Sequence, residues 1–205
     1  WRIAVEFNEI KDTPPWEWSG DTREELIKAL KDRKRPAEER AEAALLAGDL
    51  TVMNDDVARL LASTVAADDE AVEVRARAAI GLGAVLEQTS IEGFDEFSEP
   101  PIESVTYEEV QTKLENVYND AAAPKEVRRR ALERSVRASR DWHESAIRSA
   151  YASNDEEWKL TAVFCMRWIP GFDKEILEAL NSKNPEILRE AVQAAGARQV
   201  DAAWP

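Results

Sequence analysis

The chain has 205 residues, 44% of them hydrophobic and 33% charged, which fits one sizeable domain or a short repeat array and excludes an intrinsically disordered chain. Its formal net charge of −14 disfavours nucleic acid, whose phosphates must be met by Lys and Arg, and favours basic partners. No run approaches about 18 consecutive apolar residues, so no membrane span is expected.

Residues 1–21 read as an N-terminal extended or capping segment. The chain starts at Trp1 rather than Met and carries no signal-peptide pattern, so the expectation is a processed or cloned piece of a longer protein. Ile3, Val5 and Phe7 alternate as in a strand, while Ile3, Phe7 and Ile10 also fit a helix, and both readings stay open. Pro14-Pro15-Trp16-Glu17-Trp18 reads as an extended stretch that covers the open end of the first helical hairpin.

Residues 22–200 repeat themselves loosely. Glu39-Arg40-Ala41-Glu42-Ala43-Ala44 is followed by Val74-Arg75-Ala76-Arg77-Ala78-Ala79 and Val127-Arg128-Arg129-Arg130-Ala131-Leu132. Trp158-Lys159-Leu160-Thr161-Ala162-Val163 and Ile187-Leu188-Arg189-Glu190-Ala191-Val192 complete the set. A small residue lies three places after a fixed position that is basic in four of the five: Arg40, Arg75, Arg128 and Lys159. These positions are 35, 53, 31 and 29 residues apart, and removing the acidic insertion, residues 88–105, brings the outlier to 35. Such a period is that of a helical hairpin.

Each block comes after a turn signal: Pro36, Asp68-Asp69, Pro124, Asn154-Asp155 or Asn184-Pro185. Upstream lies a shorter amphipathic segment, such as Val57, Leu60, Leu61 and Val65, or Val110, Leu114 and Val117, with apolar residues at three- and four-residue steps. The chain therefore reads as helix A, tight turn, helix B, five times over. The small residues in each B helix let successive hairpins approach closely. Residues 201–205 fall where a sixth A helix begins, as in a truncated repeat.

This pattern resembles HEAT repeats, especially the bacterial type grouped with phycobilisome-lyase-like repeats. Asp69-Glu70 followed by Val74-Arg75 and Ala78, and Pro124 followed by Val127-Arg128 and Ala131, carry the likeness best. The resemblance covers roughly residues 22–197. It implies an all-α fold: an α-α superhelix (solenoid) of about five HEAT-type hairpins, stacked right-handedly and curved, with the B helices on the concave side. In related repeats the recurrent basic residues usually brace neighbouring turns, so Arg40, Arg75, Arg128 and Lys159 are expected to form a structural ladder.

Chemistry is sparse. His143 is the only histidine, so the several His-Glu pairs that HEAT-like hydroxylases use for a di-iron centre are missing. Structural zinc needs Cys and His clusters, and neither a Gly-x-Ser-x-Gly nor a phosphate-binding glycine loop occurs. His143 reads as a surface residue at a helix start. Cys165, in the apolar run Phe164-Cys165-Met166, reads as a buried thiol, compatible with a reducing, cytoplasmic setting. Trp158 and Trp168 read as packing residues of one helix.

Two charged stretches stand out. Residues 87–109 hold eight acids and no Lys or Arg, together with Phe94 and Phe97. The next B helix carries Lys125, Arg128, Arg129, Arg130, Arg134, Arg137 and Arg140. The plain reading is a solvated loop beside a solvated helix face. A sharper one folds the loop across the basic helix, masking a groove for an acidic partner; a third anchors Phe94 and Phe97 on a basic partner. Exposed ion pairs contribute only ~0–1 kcal/mol each, whereas a fully buried Phe contributes ~1.5–3 kcal/mol, so the aromatics decide.

The expected function is a non-enzymatic scaffold for a protein partner, without cofactor or metal, through Arg129, Arg130, Arg134, Arg137, Phe94, Phe97 and Trp142. A lyase-like or other enzyme activity is implied by the resemblance only, and a nucleic-acid-binding module is disfavoured by the charge.

Overall fold

A computed structural model describes residues 7–203. Among these residues there are eleven α-helices and no strand. The helices are α1 (Phe7–Asp12), α2 (Thr22–Lys31), α3 (Ala37–Leu46), α4 (Asp55–Ala66), α5 (Val72–Glu92) and α6 (Ser104–Asn119). They continue with α7 (Lys125–Ser135), α8 (Asp141–Ala152), α9 (Glu156–Met166), α10 (Asp173–Ala179) and α11 (Pro185–Arg198). The chain divides into two compact units, Trp1–Ser135 and Val136–Pro205.

In the first unit α2 packs on α3, α4 on α5 and α6 on α7, and α5 lies between α3 and α7. The four-residue steps of α4 put Val57, Leu61 and Val65 on one buried face. They meet α5, whose Val74, Ala78, Leu82, Val85 and Leu86 are fully buried. Enclosing a Leu or Val contributes roughly 1.5–3 kcal/mol, and this row is the centre of the unit. Close approach is pushed to its limit at Gly81 of α5 and Gly48 in the turn after α3. A Cβ at Gly48 would lie 2.3 Å from the Gly81 Cα, and one at Gly81 would lie 2.8 Å from the Ala44 carbonyl oxygen.

Two of the recurrent arginines tie their B helix to the last turn of the A helix before it. Arg75 Nε donates to the Val65 carbonyl (2.9 Å), and Arg128 Nε to the Tyr118 carbonyl (2.9 Å). Both carbonyls belong to a last helical turn, where no intrahelical N–H reaches them. Arg40 instead donates from Nε to the Arg35 carbonyl (3.3 Å) and pairs with buried Glu70. Glu70 also receives Arg33 (2.8 Å) and the Ala71 N–H (2.7 Å), the latter at the start of α5. Lys159 has no forked guanidinium and forms no such bond among the described residues.

In the second unit α8 packs on α9, α10 on α11, and α9 on α11, around Ile147, Met166, Phe172 and Ile176. Asp155 caps α9 by accepting the Glu157 N–H (2.9 Å), and Asn184 caps α11 by accepting the Glu186 N–H (3.0 Å). Cys165 is fully buried.

Several local expectations change. Phe7 and Ile10 are buried on helix α1, while Ile3 and Val5 lie outside the described residues. Pro15–Glu17 forms a 3-10 turn between extended Pro14 and Trp18, because the Trp18 N–H reaches back to Pro15 and its indole to the Thr13 carbonyl (2.9 Å). Residues 88–92 of the acidic insertion continue α5, which stops at Gly93 (φ 73°), and Ser104 and Val105 open α6. The loop proper is residues 93–103. The basic helix ends at Ser135, whose hydroxyl bonds back to the Ala131 carbonyl (2.7 Å), a competitor for the backbone that bends helices. Arg137 therefore sits in a 3-10 turn and Arg140 caps α8. α9 ends before Trp168, so Trp158 and Trp168 do not share a helix. Asp201–Ala203 is a 3-10 turn, and Trp204 and Pro205 lie outside the described residues.

Candidate functional site

Helix α5 carries two apolar stripes. One is the core row from Val74 to Leu86. The other, Val72, Ala76, Ile80 and Ala84, recurs every four residues and faces a surface groove. At 1.5 Å per residue the stripe is about 18 Å long. Toward α7 it is bordered by Glu73, Arg77, Glu126 and Arg130. Toward α3 it continues onto Leu45, Leu46, Leu50 and Trp18, with Ile80 common to both parts. Val72 is 43% exposed and Leu50 42%.

The neighbouring arginines of α7 have different fates. Arg129 is 4% exposed and bonded to Glu126 (3.1 Å), so it does not offer the surface expected of it. One residue on, about 100° round the helix, Arg130 opens on the groove. Its Nε lies 2.8 Å from Glu126 and its Nη1 2.6 Å from Glu133. Burial works against its charge, but Glu133 and Glu126 outweigh that and hold its pKa above the ordinary value. Arg134 is half-buried. Phe94 is 46% exposed and rests edge-on against Tyr107 of α6, and Phe97 is 87% exposed.

Asp95, Glu96, Glu99 and Glu103 form no ion pair among the described residues. The Asp95 carboxylate is taken up by the Phe97 N–H and the Ser98 hydroxyl (2.9 Å each), which hold its pKa below the usual range.

In the second unit Arg137 stacks over Trp168 (4.8 Å), and half-buried Trp142 stacks on His143 (3.8 Å). His143 is fully buried, against the expectation of a surface residue. Its Nδ1 accepts the Arg140 N–H (2.8 Å), and the His143 N–H returns to the Arg140 carbonyl (3.0 Å), which closes the start of α8. Burial lowers its pKa to about 4, so the ring is neutral at pH 7. Among the described residues, no three His, Cys, Asp or Glu side chains converge as metal ligands.

Arg130 thus borders the α5 groove, Arg129 is buried beside it, and Phe94 and Phe97 stand on the turn after α5; all four lie in the first unit. The α5 stripe itself carries neither charge nor aromatic rings, and of the side chains expected to bind a partner only Arg130 borders the groove. Its signal is the second four-residue apolar series on a helix whose core row is already complete. No protein-family model matches the chain, and no curated protein matches it.

Proposed function

We propose that this protein is a HEAT-type α-solenoid of five hairpins, α2/α3 to α10/α11, that acts as a non-enzymatic scaffold and receives a protein partner along the α5 groove. The observation that carries this reading is the apolar stripe along the groove, in which Val72 and Ala84 are exposed, Ile80 half-buried and Ala76 buried, with charged side chains along its α7 side. A partner helix of about three turns offers an apolar face of matching length. The repeat assignment is supported by the equivalent bonds of Arg75 and Arg128 to the preceding A helices and by the packing of α5 between α3 and α7.

The test is affinity capture from a lysate of the source organism, with bound proteins identified by mass spectrometry. The intact chain is run beside Ile80→Ser and Arg130→Glu, each checked for an unchanged helical spectrum. A protein captured by the intact chain and lost with Ile80→Ser is the expected result. A partner retained equally by all three chains refutes the groove, and the lack of any protein partner refutes the scaffold.

A further inference from the structure

The end of α5 and the turn after it bring large apolar side chains to the surface. Ile91 is 72% exposed, Phe97 87% and Phe94 46%. They are held in place. The Gly93 N–H bonds to the Thr89 carbonyl (2.9 Å), and Asp95 receives the Phe97 N–H (2.9 Å). The Ser98 hydroxyl lies 2.9 Å from both the Asp95 carboxylate and the Glu92 carbonyl. Phe94 is fixed by its edge contact with Tyr107 (5.5 Å). A turn ordered by its own hydrogen bonds loses little conformational freedom when it binds.

The run of residues 87–109 holds eight acids and no basic residue. Glu109 pairs with Arg59 of α4 (2.8 Å), whereas Asp95, Glu96, Glu99 and Glu103, the collar around the turn, have no ion pair among the described residues. Glu92 accepts Gln88 through one carboxylate oxygen (2.5 Å), while its Oε2 is shielded from water and has no hydrogen-bond donor among the described residues. Such an oxygen gains from a cationic donor that reaches it.

We propose that Ile91, Phe94 and Phe97, within this acidic collar, dock a basic segment of a protein partner that presents apolar side chains among its Lys and Arg residues. The collar repels phosphate, which sets nucleic acid and anionic lipid aside. A second copy is opposed by the net charge of −14 on each chain. The proposal rests on the reading of the protein as a partner-binding scaffold, but uses a surface other than the α5 groove.

The experiment is fluorescence anisotropy with the full chain. The probe is a labelled synthetic peptide with leucines at three- and four-residue steps and lysines elsewhere, compared with oligolysine of equal length. Phe97→Ser and Ile91→Ser alter mostly exposed side chains, and circular dichroism checks that the fold is kept. Each is expected to weaken the amphipathic peptide about tenfold. The double change Glu96→Gln with Glu99→Gln is expected to weaken it several-fold and to reduce its salt dependence. Val192→Ser, a change of an exposed side chain in the second unit, leaves binding unchanged. Equal binding by Phe97→Ser and the parent overturns the proposal, as does oligolysine binding as tightly as the amphipathic peptide. Self-association of the chain that Phe97→Ser abolishes overturns it in favour of a second copy. If Ile80→Ser loses the peptide and Phe97→Ser keeps it, this proposal fails while the groove stands; the reverse pattern upholds the proposal and sets the groove apart from it.

Discussion

The contact between Gly48 and Gly81 offers a quantitative test of how α3 and α5 fit together. A methyl at Gly81 lies 2.8 Å from the Ala44 carbonyl oxygen, 3.3 Å from the Gly48 Cα and 3.4 Å from a Leu61 methyl. The first two neighbours are backbone and cannot rotate aside, so α3 and α5 must separate by several tenths of an ångström. Overpacking of this kind costs about 1–3 kcal/mol. Replacing a helical glycine by alanine returns about 1 kcal/mol of helix propensity, so Gly81→Ala is expected to destabilise by about 1 kcal/mol. Gly48→Ala is worse: its methyl meets the Gly81 Cα, oxygen and carbonyl carbon at 2.3, 2.5 and 2.7 Å, and Gly48 lies outside α3, where no propensity gain offsets the clash. A loss of about 3 kcal/mol is expected. Gly196→Ala in α11, with nothing within 4 Å of the new methyl, serves as the control and is expected to stabilise by about 0.5–1 kcal/mol. Urea unfolding followed by circular dichroism reads all three as shifts of midpoint at constant slope. A Gly48→Ala chain as stable as the parent, or more stable than Gly81→Ala, refutes the close approach of α3 and α5.

Glu70→Ala leaves Arg40 buried without its carboxylate and is expected to cost about 3 kcal/mol, with much of the loss recovered when Arg40→Met is added; an additive double variant in the same urea assay refutes this coupling. His143 gives the fold a pH dependence. Its folded pKa of about 4 lies below the ordinary 6.5, so the fold keeps the ring neutral while the unfolded chain takes up the proton. Stability therefore falls as pH drops from 6.5 toward 4, by about 1.4 kcal/mol per pH unit and on the order of 3 kcal/mol in all, and the effect levels off below pH 4. His143→Gln, which can still accept the Arg140 N–H, removes that part of the slope; identical slopes for the two chains between pH 6.5 and 4 refute the assignment.

What the amino-acid sequence determined by itself is local. Pro36, Asp155 and Asn184 mark helix starts because proline dihedrals and side-chain caps act within one turn of chain. The three- and four-residue steps of Val57, Leu61 and Val65 predict a buried face without reference to the residues that cover it. The recurrence of Arg40, Arg75 and Arg128 is equally visible, but their acceptors are not. That Arg75 reaches Val65 and Arg40 reaches Glu70 depends on where a turn places the preceding helix. Tertiary packing made the remaining choices. Arg129 and Arg130 are adjacent and chemically identical, and only the side of α7 on which each falls makes one buried and the other a wall of the groove. His143 carries the polarity of a surface residue, yet it is enclosed completely and its ring nitrogen becomes a cap. The two apolar stripes of α5 obey one local rule. Their assignment, one to the core and one to the surface, was settled by the fit of α4 against one side and the groove left between α3 and α7 on another, because burial depends on residues distant in sequence.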